Sequence, residues 1–170
     1  FYWRQSRSNS SLINYTKISP NRKSPRADII KKIAIHRTAG VLSVETIGNI
    51  FSGSSRSASA NYGIGADGRI GMYVEEKDRS WCTSSGWCDN QAITIECSNS
   101  ATGGHWPVSD LVLNKLVALC VDVCERNGIP SVTFTGDKSG TLVMHKWFAA
   151  TACPGPYLAS KFSWIASEIN

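Results

Sequence analysis

IAIHRTAGVLSVETIGNIF, residues 33–51, changes character halfway along. Ile33-Ala34-Ile35 is a short apolar run of the kind a buried strand uses, and Gly40 ends it. Ser43 then stands where a helix N-cap belongs, Glu45 lies favourably near the positive helix end, and a short helix runs through about Phe51. A buried strand passing directly into a helix points to an α/β domain.

The flanking sequence extends this pattern. Asn61 to Val74 reads as a hairpin, with Tyr62 and Ile64 alternating, Asp67-Gly68 as the turn, and Ile70, Met72 and Val74 alternating again. Ile93-Thr94-Ile95-Glu96-Cys97 is a further strand, with Ile93, Ile95 and Cys97 on one face and Thr94 and Glu96 on the other. Ser109 caps a long helix whose Val112, Leu113, Leu116, Val117, Cys120, Val121 and Cys124 follow helical spacing, and Gly128 stops it. Val132 to Phe134 and Leu142 to Met144 are short strand candidates. Pro154 and Pro156 precede a last helix of about Tyr157 to Ile169. There is no internal repeat, so 170 residues suit one α/β domain. Residues 1–28, polar and carrying Pro20 and Pro25, read as an extended basic arm laid over a domain of residues 29–170.

Apolar content of 42% and charged content of 18% exclude a disordered or fibrous chain. No apolar run reaches the roughly 20 residues a membrane span requires. The chain starts at Phe1 without an initiator Met or a signal peptide, which reads as a processed chain or a fragment. Within residues 1–40, Arg4, Arg7, Lys17, Arg22, Lys23, Arg26, Lys31, Lys32 and Arg37 stand against a single acid, Asp28. Such an arm suits an anionic polymer, either nucleic acid or a teichoic-acid-bearing wall, and equally a solvated basic segment. Of the six cysteines, Cys120 and Cys124 sit one helical turn apart as core residues. Cys82 and Cys88 bracket a short loop and either bridge or stay free.

Three histidines are few enough for their placement to inform. His36 ends the first strand, His145 ends a later apolar run, and Cys153 follows eight residues on. Two imidazoles and a thiolate are suitable zinc ligands, and a catalytic zinc keeps a fourth position open. Spacing alone leaves this pattern compatible with satisfied structural histidines. His105, beside Trp106 in a Gly-rich loop, is a weaker ligand candidate. Glu75, Glu76 and Asp78 suggest a glycosidase pair, but with Lys77 and Arg79 between them a solvated turn is the expectation. Trp81, Trp87, Trp106 and Trp147 are candidates either to line a saccharide cleft or to sit in the core.

The local sequences narrow this. "IAIHRTAG" surrounds His36, "MHKWFAATACPGPYL" carries His145 and Cys153, and "ANYGIGADGRI" and "ITIECSN" lie between them. In this order they resemble the phage-type (type 2) N-acetylmuramoyl-L-alanine amidases, the superfamily that includes peptidoglycan recognition proteins. The resemblance runs from about Ile33 to Ile169. It implies a mixed, mostly parallel sheet flanked by helices, with the site at strand ends and in adjoining loops. It also implies a zinc ion on His36, His145 and Cys153, hydrolysis of the amide joining the muramic lactyl group to L-Ala, and Glu96 as the carboxylate beside the reacting water. Thr151, two residues before the ligand Cys, matches a position where relatives carry Lys or Thr, and implies a hydroxyl donor to the substrate oxygen.

Two departures from the family pattern stand out. Where relatives often read Trp-His-Ala-Gly, this chain has Trp81-Cys82-Thr83-Ser84, so Cys82 replaces a cleft histidine. Where some members keep a catalytic Tyr, this chain has Ala60, and Tyr62 is expected to point into the core. The rival reading is a peptidoglycan-binding module without catalysis, against which Cys153 argues, because members that only bind tend to lose that ligand. The resemblance thus implies a monomer acting on bacterial peptidoglycan, secreted or delivered to the cell wall. Nucleic acid is not an expected partner, since no aromatic or helical motif supports the basic arm.

Overall fold

A computed structural model describes residues 9–170. The eight strands are β1 (Tyr15–Thr16), β2 (Arg22–Lys23), β3 (Lys32–Arg37), β4 (Tyr62–Ile64), β5 (Ile70–Met72), β6 (Arg79–Ser80), β7 (Ala92–Cys97) and β8 (Leu142–Met144). Six of them form one sheet in the order β1-β5-β4-β7-β3-β8, and β2 pairs with β6 apart from it. Only the β4–β5 hairpin is antiparallel within the main sheet; its other pairings are parallel. The apolar character of residues 33–35 follows, since a parallel strand in mid-sheet is covered on both faces. Ile33, Ala34 and Ile35 are fully buried.

Helix α1 (Val44–Ser52) is capped by Ser43, whose side chain accepts from the Thr46 amide at 3.1 Å. Helix α2 (Gly86–Gln91) is capped in the same way by Ser85, and α3 (Asp110–Asn127) by Ser109. Gly128 ends α3 at φ 69, in the left-handed region that a side chain disfavours. One face of the sheet carries Ile33, Ile35, Tyr62, Ile64, Ile93, Ile95 and Cys97 and packs against α3 and the C-terminal helices. On the opposite face, Ala34 and Val143 pack with Cys88 and Ala92, and α1 closes over Tyr73. This is a single-domain α/β fold with a mostly parallel central sheet flanked by helices.

Several expectations are corrected. The buried stripe of α3 includes Leu119 and Val123 but not Val117 and Val121, which are only half-buried. The 112-116-119-123 row faces the sheet, and helical spacing alone does not select between neighbouring rows. Val132 to Phe134 is not a strand. The Thr133 carbonyl accepts from the Thr141 and Leu142 amides at 2.9 and 3.1 Å, while the Val132 backbone turns to the Asn170 side chain at 2.8–2.9 Å. The expected last helix is two, α4 (Pro156–Ser160) and α5 (Phe162–Ile169), separated at Lys161. That break buries Leu158, Phe162 and Ile165 together.

Residues 1–8 of the basic arm lie outside the described residues. From Asn9 onward the segment runs along the domain. Tyr15–Thr16 adds to the sheet edge beside β5, and Arg22–Lys23 pairs with β6. Arg26 fastens it further, its guanidinium donating to the carbonyls of Glu76, Asp78, Asp89, Asn90 and Ala92 at 2.8–3.2 Å. No described helix is long and apolar enough to cross a membrane.

Candidate metal centre

Parallel pairing brings the chemistry together. The sheet order β7-β3-β8 sets three strands side by side with their C-terminal ends at one edge, where open α/β sheets hold their ligands. His36 is the penultimate residue of β3, Glu96 that of β7, and His145 directly follows β8. His36 and Glu96 are register partners, so both point to the face bearing Ala34 and Thr94. Cys153 returns to this edge through the loop after His145, tied by the Lys146 amide donating to the Cys153 carbonyl at 3.0 Å. Gly155 follows at φ 87, and a Cβ there would meet Arg37 Nε at 2.8 Å, so the turn has no room for a side chain.

His36, His145 and Cys153 hold their ligand atoms within 4.8 Å of one another. Cys153 Sγ lies 3.5 Å from His36 Nδ1, and tetrahedral zinc sets an imidazole nitrogen and a thiolate about 3.5 Å apart. His36 is 1% exposed, yet its Nε2 has no hydrogen-bond partner, and His145 Nε2 is likewise buried and unpartnered. Unmet buried polar atoms cost about 1–3 kcal/mol each and call for an explanation. A metal on this set accounts for the nitrogen it coordinates; on His36 that is Nδ1, which faces Cys153, so His36 Nε2 is not accounted for by this set. Burial, and then the neighbouring His145, holds His36 down to about 3, so the imidazole is neutral as a ligand must be. Burial pushes the Cys153 thiol up to about 12, against the weaker opposing effects of a hydrogen bond from the Arg37 backbone and the Arg37 charge. A dication reverses that balance, since coordination deprotonates a thiol.

Glu96 lies beside this set with Oε1 buried and unpartnered. Burial raises its carboxyl to about 8; a hydrogen bond from Cys82 and the charges of Arg37 and Arg56 oppose the shift. Glu96 as a whole residue is half-buried. The Cys82 thiol lies 3.9 Å from Glu96 Oε2, within reach of a sulfur hydrogen bond. Its loop is pinned by buried Asp89, which accepts from the Cys82 and Thr83 amides at 3.1–3.3 Å and from Thr83 Oγ1 at 2.8 Å. Thr151 is exposed, and its Oγ1 accepts from the Cys153 amide at 3.2 Å, leaving the hydroxyl proton free to donate outward.

Other candidates fall elsewhere. His105 is exposed, with its ring 5.6 Å from that of Tyr157, outside either metal-capable group among the described residues. The expectation of a solvated turn at Glu75, Glu76 and Asp78 is wrong for two of the three, since Glu76 and Asp78 are each 2% exposed. Glu76 accepts from Arg126, Asn127 and the Tyr62 hydroxyl at 2.6–3.0 Å, so its charge is buried because it is paired. Tyr62 points into the core. Cys82 and Cys88 are not bridged, and all six cysteines are free. Of the tryptophans, Trp106 lies next to the site, with the Arg37 guanidinium 4.7 Å above its ring. Sequence reasoning passed over Arg37, although it directly follows a ligand position, and over the Cys82–Glu96 contact, whose only signal was the altered Trp81-Cys82 pair.

The family model described as N-acetylmuramoyl-L-alanine amidase matches residues 25–156. No curated protein matches the chain by sequence. Among solved structures, PlyL superposes with a TM-score of 0.73 at 14% identity, over 93% of this chain and 96% of that one. A mutant endolysin from Bacillus subtilis gives 0.71 at 17% identity, over 94% and 100%. An AmpD derivative gives 0.71 at 18% identity, over 92% and 96%. At these identities the likeness concerns the fold.

Proposed function

The chain belongs to the N-acetylmuramoyl-L-alanine amidase family, and from that premise we propose that it is a zinc-dependent hydrolase of bacterial peptidoglycan. The bond cut is the amide between the N-acetylmuramic acid lactyl group and the L-Ala of the stem peptide. The observation that carries the reading is the convergence of His36, His145 and Cys153, whose ligand atoms lie within 4.8 Å of one another, with His36 Nδ1 3.5 Å from Cys153 Sγ. These three residues would hold the metal. When bound, zinc supplies Lewis acidity toward an amide carbonyl and makes water more acidic.

The chain's own residues do the rest. Glu96 takes the proton of the attacking water on its carboxylate and passes it to the departing L-Ala amine. Thr151 directs its hydroxyl at the carbonyl oxygen as negative charge develops there. Site of action follows from substrate: the cell wall, reached by secretion or delivery. The protein works as a monomer, and nucleic acid is not a partner.

Metal analysis combined with digestion of purified sacculi tests this. The expected result is one zinc per chain and free L-Ala amino termini without new reducing ends. Shortened glycans with peptides still attached would overturn the amidase reading. Binding of fragments with no product would favour a recognition module instead.

A further inference from the structure

His36 belongs to two donor sets. Besides the set with His145 and Cys153, it groups with Cys82 and Glu96, whose ligand atoms also lie within 4.8 Å of one another and of His36. Cys82 and Glu96 are already in contact, 3.9 Å from Sγ to Oε2. Two of the buried atoms in this second set have no protein partner, His36 Nε2 and Glu96 Oε1. His36 is 1% exposed, so its free nitrogen cannot turn to bulk water for a partner. The Cys82 loop is held by Asp89 through three groups, which keeps the thiol facing the carboxylate.

We infer that His36, Cys82 and Glu96 form a second seat for a divalent cation, adjoining the first and sharing His36 with it. One imidazole, one thiolate and one carboxylate suit zinc or cobalt, which accept mixed nitrogen, sulfur and oxygen ligands. Binding releases the Cys82 thiol proton to solvent. An ion in this seat occupies Glu96, so it is unproductive for hydrolysis. That consequence rests on Glu96 being the base, whereas the seat itself does not. A Cys at position 82 therefore adds a soft ligand next to a carboxylate and widens the metal chemistry of the site.

Cobalt binding to Cys153→Ser tests the seat without reference to turnover. That variant removes the only thiol of the first set. It is expected to keep one cobalt per chain with thiolate-to-cobalt absorption, and the Cys82→Ser/Cys153→Ser double variant is expected to lose that absorption. A folded Cys153→Ser protein without it, or a double variant that retains it, overturns the inference. If Cys153→Ser does not fold, zinc affinity by chelator competition is compared between His145→Ala and His145→Ala/Cys82→Ser. Weakening by about tenfold or more in the latter is expected; equal affinities overturn the seat. Cys82→Ser alone keeps the whole first set, so failure of the second seat leaves the amidase reading intact. That reading fails separately, if the unmodified protein releases no L-Ala termini.

Discussion

His36 and Glu96 sit opposite each other on the adjacent parallel strands β3 and β7. One rung of the sheet thus carries both an expected metal ligand and the expected base. Because side chains on a rung share a face, neither can be re-aimed without shifting a strand whose apolar residues are fully buried. Rigid strands hold reacting groups more closely than loops do.

Removing the thiolate of the first set is the most direct test of it. Cys153→Ser should abolish release of L-Ala termini. Measured in a Cys82→Ser background, so that only the first set is followed, zinc affinity by chelator competition should fall by more than the roughly 10–100-fold that losing an outer-shell partner costs. Full activity with metal stripped would refute the zinc assignment.

Glu96→Gln should fold and bind zinc while turnover falls by about 10² to 10⁴, since the amide cannot accept a proton. Activity within a few-fold of the parent would make Glu96 structural.

Thr151→Val should lower turnover by on the order of 10² if the hydroxyl serves the oxyanion. Thr151→Ser should restore most of it. Because Thr151 also accepts from the Cys153 amide, zinc content is measured in both. A valine variant that loses metal along with activity would point to a purely structural hydroxyl.

A pH dependence follows from Glu96 in the metal-free protein. Burial lifts its carboxyl from 4.5 to about 8, so between these values the folded state binds more protons than the unfolded one. Its contribution is full below about 4.5 and is lost as pH rises through about 8. Metal-free parent should therefore lose Tm relative to metal-free Glu96→Gln as pH is raised across that window. Parallel Tm curves would contradict the burial of this carboxyl.

Glu76→Ala should destabilise the fold by about 1–3 kcal/mol, because it removes the buried acceptor shared by the Tyr62 hydroxyl, Asn127 and Arg126. Urea unfolding should show a lower midpoint at unchanged slope. A shift under about 0.5 kcal/mol would restore the view of this turn as solvated surface.

The sequence by itself determined the elements whose signals are local. The Ser43 and Ser109 caps, the Gly128 stop, the Asp67-Gly68 hairpin, the apolar run at 33–35 and the alternation at 93–97 each depend on near neighbours. The motifs around His36, His145 and Cys153 named the family, which the match over residues 25–156 bears out. Only the tertiary structure decided what sits against what. Whether Glu76 is solvated or paired depends on Arg126, 50 residues away, and whether Cys82 is a loop thiol or a neighbour of Glu96 depends on β7. The same holds for Arg37 above Trp106, and for which row of α3 meets the sheet. Burial, ion pairing and ligand convergence are sums over residues distant in the chain. They leave no periodicity behind, so the pattern that reveals a strand or a helix is silent about them.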